Sequence, residues 1–354
     1  MVKLVHGGDI YSKRNIGDNN RLIDFSANIN PLGLPDSVKT AIISGIDDFC
    51  NYPDPLYREL KKEISVYENV PEDYIICGNG AADIIYRVAG AVKPENTLLT
   101  APTFSEYEEA VKTTGSRVIY HYLQKDNGFK PDESIFDRIT PAIDLMFLCN
   151  PNNPTGVLTD RETVLKLAER CKTVNVLLVV DECFMDFLEE PEDYSIINRL
   201  KDFDNVIVLK AFTKIFAMAG IRLGYGLCSN AGIIERLYNA GQPWSVSVVA
   251  QKCGAAALKE REYVSRTREL IAENRRYLTG GLKALGLEVF DSKANYIMFR
   301  TEHETILREL ERYGILIRPC SNYVGLDGTY YRIAVKSRED NEYFIKCLGG
   351  IISN

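Results

Sequence analysis

The sequence predicts an α/β protein: a three-layer large domain on a mostly parallel sheet, joined to a smaller α+β domain. Three observations predict it. From residue 74 onward, short β-branched runs alternate with amphipathic helical stretches. Those runs are apolar almost throughout, as strands covered by helices on both faces must be. After Gly226 the character changes, first to long Ala-, Glu-, Arg- and Lys-rich helical sequence and then to a shorter mixed pattern.

Taken in order, residues 1–40 carry no sheet of their own and are expected to pack beside the smaller domain. Residues 41–275 form the large domain, with strands expected at YIIC, TLLT, RVIYHY, DLMFLC, VLLVV, NVIVL and RLGYGLC. Amphipathic helices are expected between several of them, for example Ala81–Val92 and Arg161–Lys172. Ser245 to Leu285 reads as one or two long helices. Residues 276–354 then supply a strand at ANYIMFR, a helix at HETILRELERYG, strands at ILIRP and YYRIAVK, and a last helix from Arg338.

Composition narrows the function. A chain of 354 residues that is 45% hydrophobic can bury a substantial core. Its net charge of -7 argues against a nucleic-acid partner, although local arginines could still capture small anions. The nine cysteines are scattered singly and read as reduced thiols. Three histidines, none at metal-ligand spacing, give no reason to expect a metal site. No apolar run has the length of a signal peptide or membrane span, so a cytoplasmic protein is expected.

In open α/β sheets, chemistry gathers at the carboxyl ends of strands. Here those ends supply Gly78–Ala82, then NPNNPTG (150–156), then Asp181-Glu182, then AFTKIFAMAGIRLGYG (211–226). Gly78–Ala82 is a strand-to-helix turn whose amides either face an anion or merely turn the chain. Asp181, after a fully apolar strand, is either a helix cap or the partner of a buried cation. Lys214 sits in an apolar, glycine-punctuated run with Arg222 eight residues on, and a desolvated lysine becomes a nucleophile able to form an imine.

An imine-forming lysine, a carboxylate for a pyridine nitrogen and an amide-and-arginine phosphate cradle describe a pyridoxal phosphate site. NPNNPTG, the DE pair and TKxxxxAGxRLGYG together resemble the fold-type-I aminotransferase family over nearly the whole chain. The resemblance implies pyridoxal 5'-phosphate as cofactor, with Lys214 bonded to its aldehyde carbon and Asp181 on its pyridinium. It implies Asn153 on the phenolic oxygen, Phe104 stacked on the ring, and Gly80, Ala81, Ala82, Thr213 and Arg222 around the phosphate. Tyr52 in NYPDP matches a tyrosine that reaches the neighbouring subunit's cofactor, which implies a homodimer with shared sites. Arg332 matches the arginine that clamps the substrate carboxylate.

Two positions depart from the family pattern. Ala211 stands where a serine commonly contributes a phosphate hydrogen bond, and Phe184 stands where many transaminases have tyrosine. Within the family the chain is most similar to two branches that handle phosphate esters. These are threonine-phosphate decarboxylase of cobalamin biosynthesis and histidinol-phosphate aminotransferase. HGGDI, DFSANINPLG and the Tyr57 of YPDPLYREL favour the decarboxylase, and so does Phe184. The expected substrate is then a small phosphorylated amino acid, O-phospho-L-threonine or O-phosphoserine, held by His6, Asn30, Arg318 and Arg332. Read without the resemblance, His6-Gly7-Gly8 is a turning terminus; read with it, these residues wall the substrate phosphate.

Overall fold

Strands that are apolar on both faces can only be buried, and in the computed structural model they form the central layer. The structure describes residues 7–12 and 22–353. β1 (Ile23–Asp24) lies outside the main sheet. The next seven strands build that sheet: β2 (Ile75–Gly78), β3 (Asn96–Ala101), β4 (Arg117–Tyr122), β5 (Leu145–Cys149), β6 (Leu177–Asp181), β7 (Val206–Ala211) and β8 (Gly224–Leu227). Their spatial order is β2-β8-β7-β6-β5-β3-β4. The pairs β3/β4, β3/β5, β5/β6 and β6/β7 are parallel, and β8 alone runs against its neighbours. The parallel strand ends therefore share one edge, which brings residues 149–153, Asp181 and Ala211–Lys214 together.

Helices cover the sheet where the periodicity places them. Ala81–Val92 matches the expected range, and Arg161–Thr173 ends one residue later than expected. The second is capped by Asp160, whose carboxylate accepts from the Thr163 amide at 2.9 Å. The long helical region divides into Val248–Ala257 and Arg261–Ala284. Residue 275, the expected boundary, falls inside the second helix, which packs on both the Met185–Phe187 turn and the C-terminal strands.

Those C-terminal strands are β9 (Glu288–Val289), β10 (Tyr296–Arg300), β11 (Ile315–Leu316), β12 (Arg318–Pro319) and β13 (Tyr330–Ala334). The single strand expected at ILIRP is two strands, because the chain changes partners at Ile317: β11 pairs with β1, and β12 pairs with β13. The order β12-β13-β10-β9 makes an antiparallel sheet, with Arg318 directly opposite Arg332. Among the described residues no helix is long and apolar enough to cross a membrane.

Candidate active site

A cavity of about 410 Å³ opens at the shared strand edge, between the large sheet and the small one. The first helix turn after β2 forms one wall. Gly80 has φ +81°, and a Cβ there would lie 2.7 Å from an Arg222 guanidinium nitrogen. Only glycine lets that cation approach the turn so closely. Across it, a Cβ on Gly224 would fall 2.3 Å from the Ala81 nitrogen, so β8 presses directly on the helix start. The amide of Gly80 is spent on the Gly78 carbonyl at 2.8 Å, and that of Asn79 on Asp83 at 2.9 Å. Ala81 and Ala82 line the cavity, and their first-turn amides have no intrahelical acceptor. Gly80 thus contributes space and not the amide expected of it.

Asp181 ends β6 with its side chain in the cavity. One carboxylate oxygen accepts from the Tyr107 hydroxyl at 2.6 Å and the other from the Cys183 amide at 3.0 Å. It is therefore no helix cap. Tyr107 is fully buried and stacks on Phe147 with 4.8 Å between centroids, while Phe104 meets Tyr107 edge-on at 5.5 Å. Burial and the neighbouring carboxylate push the Tyr107 phenol well above its ordinary range, which keeps it a donor to Asp181.

Asn153 is buried, and its side-chain oxygen accepts from Arg332 Nη1. With the oxygen taken, the amide NH2 is the group left to face the cavity. Arg332 also donates through Nη2 to the Ser26 carbonyl at 2.9 Å, and its Nε is buried without a partner among the described residues. Such an orphan donor marks a place for an anion. Arg318 is buried beside it and donates to Asn322 at 2.9 Å.

Lys214 lies on the short helix Phe212–Ile215, with Thr213 and Ala211 also on the cavity wall. Its amine is pushed down to about 8, first by burial and next by the charge of Arg332, with Arg222 adding to the effect. Its Nζ is 5.6 Å from the Phe184 ring centroid, and Phe184 packs edge-on against Tyr296. Arg222, exposed at the rim, has φ +65° and donates to the Ala219 carbonyl at 3.1 Å. A non-glycine residue in that region is strained.

Three expected positions stand apart. Asn30 is not a lining residue: its amide donates to the Ile215 carbonyl at 2.6 Å and to Thr267 at 2.8 Å, so it braces the segment after Lys214. Asn28, two residues earlier, lines the cavity instead. Tyr52 is 81% exposed and packs at a tilt on Trp244 with 4.8 Å between centroids, outside the cavity. His6 lies outside the described residues, although Gly7 reaches the cavity wall and the Gly8 amide bonds Ser26 Oγ at 2.8 Å. Tyr57, which the sequence associates with one branch, is buried with its hydroxyl 3.3 Å from Ser245 and takes no part in the cavity.

A family model described as aminotransferase class I and II matches residues 20–348. The chain belongs to this family. Threonine-phosphate decarboxylase of Salmonella typhimurium is 37% identical over 100% of this chain and 98% of its own. Among solved structures, histidinol-phosphate aminotransferase from Clostridium acetobutylicum superposes with TM-score 0.88 at 32% identity, covering 94% of this chain and 100% of that one. L-threonine-O-3-phosphate decarboxylase from Porphyromonas gingivalis gives 0.81 at 25%, covering 93% and 99%. Pyridoxal phosphate is the cofactor expected of a class I and II aminotransferase chain, and the donor set fits it. Arg222 with the amides of Ala81 and Ala82 suits a phosphate, Asp181 a pyridinium, and the Asn153 amide a phenolic oxygen.

The sequence passed over Tyr107, Ser26, Asn28 and Tyr323, all at or around this site. Tyr107 had a signal in APTFSEY, as a second aromatic three residues after Phe104 at the start of a helix. Tyr323 lies in a loop without periodicity and had none. Glu182 turns away from the cavity, as alternation after Asp181 requires, and holds Ser195 at 2.6 Å and the Ile196 amide at 3.1 Å. Burial raises its carboxyl to about 7 against the pull of Lys210.

Proposed function

We propose that this chain is a pyridoxal-phosphate-dependent decarboxylase of O-phospho-L-threonine, with O-phosphoserine as the near alternative, serving cobalamin side-chain biosynthesis. The observation that carries it is the pairing of Arg318 and Arg332, both buried, on one wall of the cavity that holds Lys214. Two separate buried cations suit a substrate with two separate anions, a carboxylate and a phosphate ester. The full-length likeness to threonine-phosphate decarboxylase supports the same reading.

Bound in this cavity, the cofactor supplies an electron sink for the bond held perpendicular to its ring. The protein decides which bond that is. Arg332, held by Asn153 and the Ser26 carbonyl, fixes the carboxylate, while Arg318 on the neighbouring strand takes the distal phosphate. Lys214, its amine pushed down to about 8, would bond the cofactor aldehyde carbon and would hold or return a proton at Nζ. Phe184 offers no hydroxyl near that amine, which leaves fewer groups to manage a proton at the substrate carbon.

A second reading, amino-group transfer to or from a phosphorylated amine, is favoured by the 0.88 superposition on histidinol-phosphate aminotransferase. Incubation with O-phospho-L-threonine, measuring released carbon dioxide against keto-acid-dependent transfer, separates the two. Transfer without gas ends the decarboxylase reading. We further propose a homodimer in which Tyr52 completes the partner's site; its exposure beside Trp244, with Ile46 at 62% exposed nearby in sequence, is the supporting observation.

A further inference from the structure

We infer that Tyr323 is a positioning residue that sets the spacing of Arg318 and Arg332 and so selects substrates carrying two anionic groups. The inference rests on the two-anion reading of the cavity given above. The Tyr323 side chain is buried in the cavity wall. Its hydroxyl lies 3.4 Å from Arg332 Nη1 and 3.4 Å from the Asn153 side-chain oxygen. Its ring lies 5.7 Å from the Arg318 guanidinium carbon. Arg332 Nη1 donates to that same Asn153 oxygen, so hydroxyl, guanidinium and amide close a triangle.

The triangle spans the two sheets. Asn153 follows β5 of the large sheet, whereas Arg318 and Arg332 belong to β12 and β13 of the small one. Tyr323 sits between β12 and β13, in a turn seated on the end of β3: a Cβ on Gly325 would touch Pro102 at 3.7 Å and Ala101 at 3.8 Å. One aromatic side chain thus ties both arginines to the wall that carries Asn153. The two halves of the ring do different work. The hydroxyl fixes Arg332, and the ring face holds Arg318 through cation–π attraction.

The test uses cofactor-loaded enzyme and two amine-free probes, 3-phosphonopropionate with both anions and propionate with the carboxylate alone, titrated calorimetrically. Tyr323→Phe removes only the hydroxyl and should weaken both probes by about fivefold. Tyr323→Leu also removes the ring face and should weaken 3-phosphonopropionate by a further factor of about 30 while leaving propionate where Tyr323→Phe left it. Equal losses for both probes in Tyr323→Leu, or wild-type affinity in either variant, overturn the inference. If Tyr323→Leu is insoluble, Tyr323→Met, which also removes the ring face but keeps more of the side-chain length, takes its place with the same outcomes expected. Wild-type enzyme that binds 3-phosphonopropionate yet releases no carbon dioxide from phosphothreonine removes the decarboxylase reading and leaves Tyr323 in its role. Wild-type enzyme that binds 3-phosphonopropionate no better than propionate removes the two-anion reading and this inference with it.

Discussion

Capture of the cofactor by the cofactor-free protein should show a pH midpoint near 8. Imine formation needs a neutral amine, and Lys214 is pushed from the ordinary 10.5 down to about 8. At pH 7 about one amine in ten is then neutral, against roughly three in ten thousand for an ordinary lysine, a gain of about 300-fold. Because this is a base with a depressed value, the reactive form dominates above the midpoint and is lost as pH falls through it. Protein stripped of cofactor and mixed rapidly with pyridoxal phosphate should bind it at a rate rising about tenfold per unit up to pH 8, and levelling beyond. Arg332 is the largest charge contribution after burial, so Arg332→Gln should move the midpoint upward. A rate that still climbs steeply between pH 9 and 10 in the wild type, or an unmoved midpoint in Arg332→Gln, would refute the reasoning.

The same depression has a cost in stability, present in full below pH 8 and relieved as pH rises towards 10.5. Lys214→Met should therefore stabilise the cofactor-free protein at pH 7 by about 1–3 kcal/mol, discounted because the residue as a whole is only half-buried, and by nothing near pH 10.5. Thermal melts at the two pH values check this, and the variant should lack the visible absorbance of lysine-bound cofactor. Gly80→Ala drives a methyl group to 2.7 Å from Arg222 at φ +81°, and should weaken cofactor retention by about tenfold or more, read by dilution and absorbance. Lys210 is buried 2.7 Å from Asp186 and 3.8 Å from Glu68; Lys210→Met strands these carboxylates and should cost about 3–5 kcal/mol. That loss should deepen as pH rises above the ordinary carboxyl value of 4.5, because burial raises the Glu68 carboxyl in the folded protein and the unfolded chain ionises first, and melts against pH would show it. Mixing inactive Lys214→Ala with inactive Tyr52→Ala should restore about a quarter of wild-type activity if sites are shared, through dimers with one intact site. No recovery after subunit exchange would remove the shared-site reading.

The order of elements was legible because burial on both faces leaves an unambiguous apolar run, as VLLVV and NVIVL do. The strand-end groups were legible for a related reason: Asp181 directly follows one such run, and Lys214 sits in the apolar stretch beyond the next, where a charge has little else to do. What escaped were residues whose role depends on side-chain reach across sequence distance. Asn30 and Asn28 are indistinguishable in DFSANINPLG, yet one side chain turns to Ile215 and Thr267 while the other lines the cavity. ILIRP reads as one strand, and nothing local says that its first half serves β1 and its second half β13. Gly80 resembles an amide donor until the turn shows its N–H already spent.

The division between the two reactions comes down to how the chain treats one carbon of the substrate. Transfer requires a base to remove and return a proton there, whereas decarboxylation requires the carboxylate to be held out of plane and the proton delivered once. Lys214 could serve either, and its neighbours tilt the balance. Arg332 is fixed at four points, by Asn153, by the Ser26 carbonyl, by the Tyr323 hydroxyl and by the Tyr296 ring 5.4 Å away, so the carboxylate it binds has little freedom to swing into the plane. Phe184 lies beside the lysine with an apolar face where a hydroxyl would help shuttle a proton. Phe184→Tyr should accordingly raise any transfer side reaction relative to carbon dioxide release. If the new hydroxyl leaves that ratio unchanged, the choice rests on carboxylate orientation alone, and Arg332 with its braces carries the whole of it.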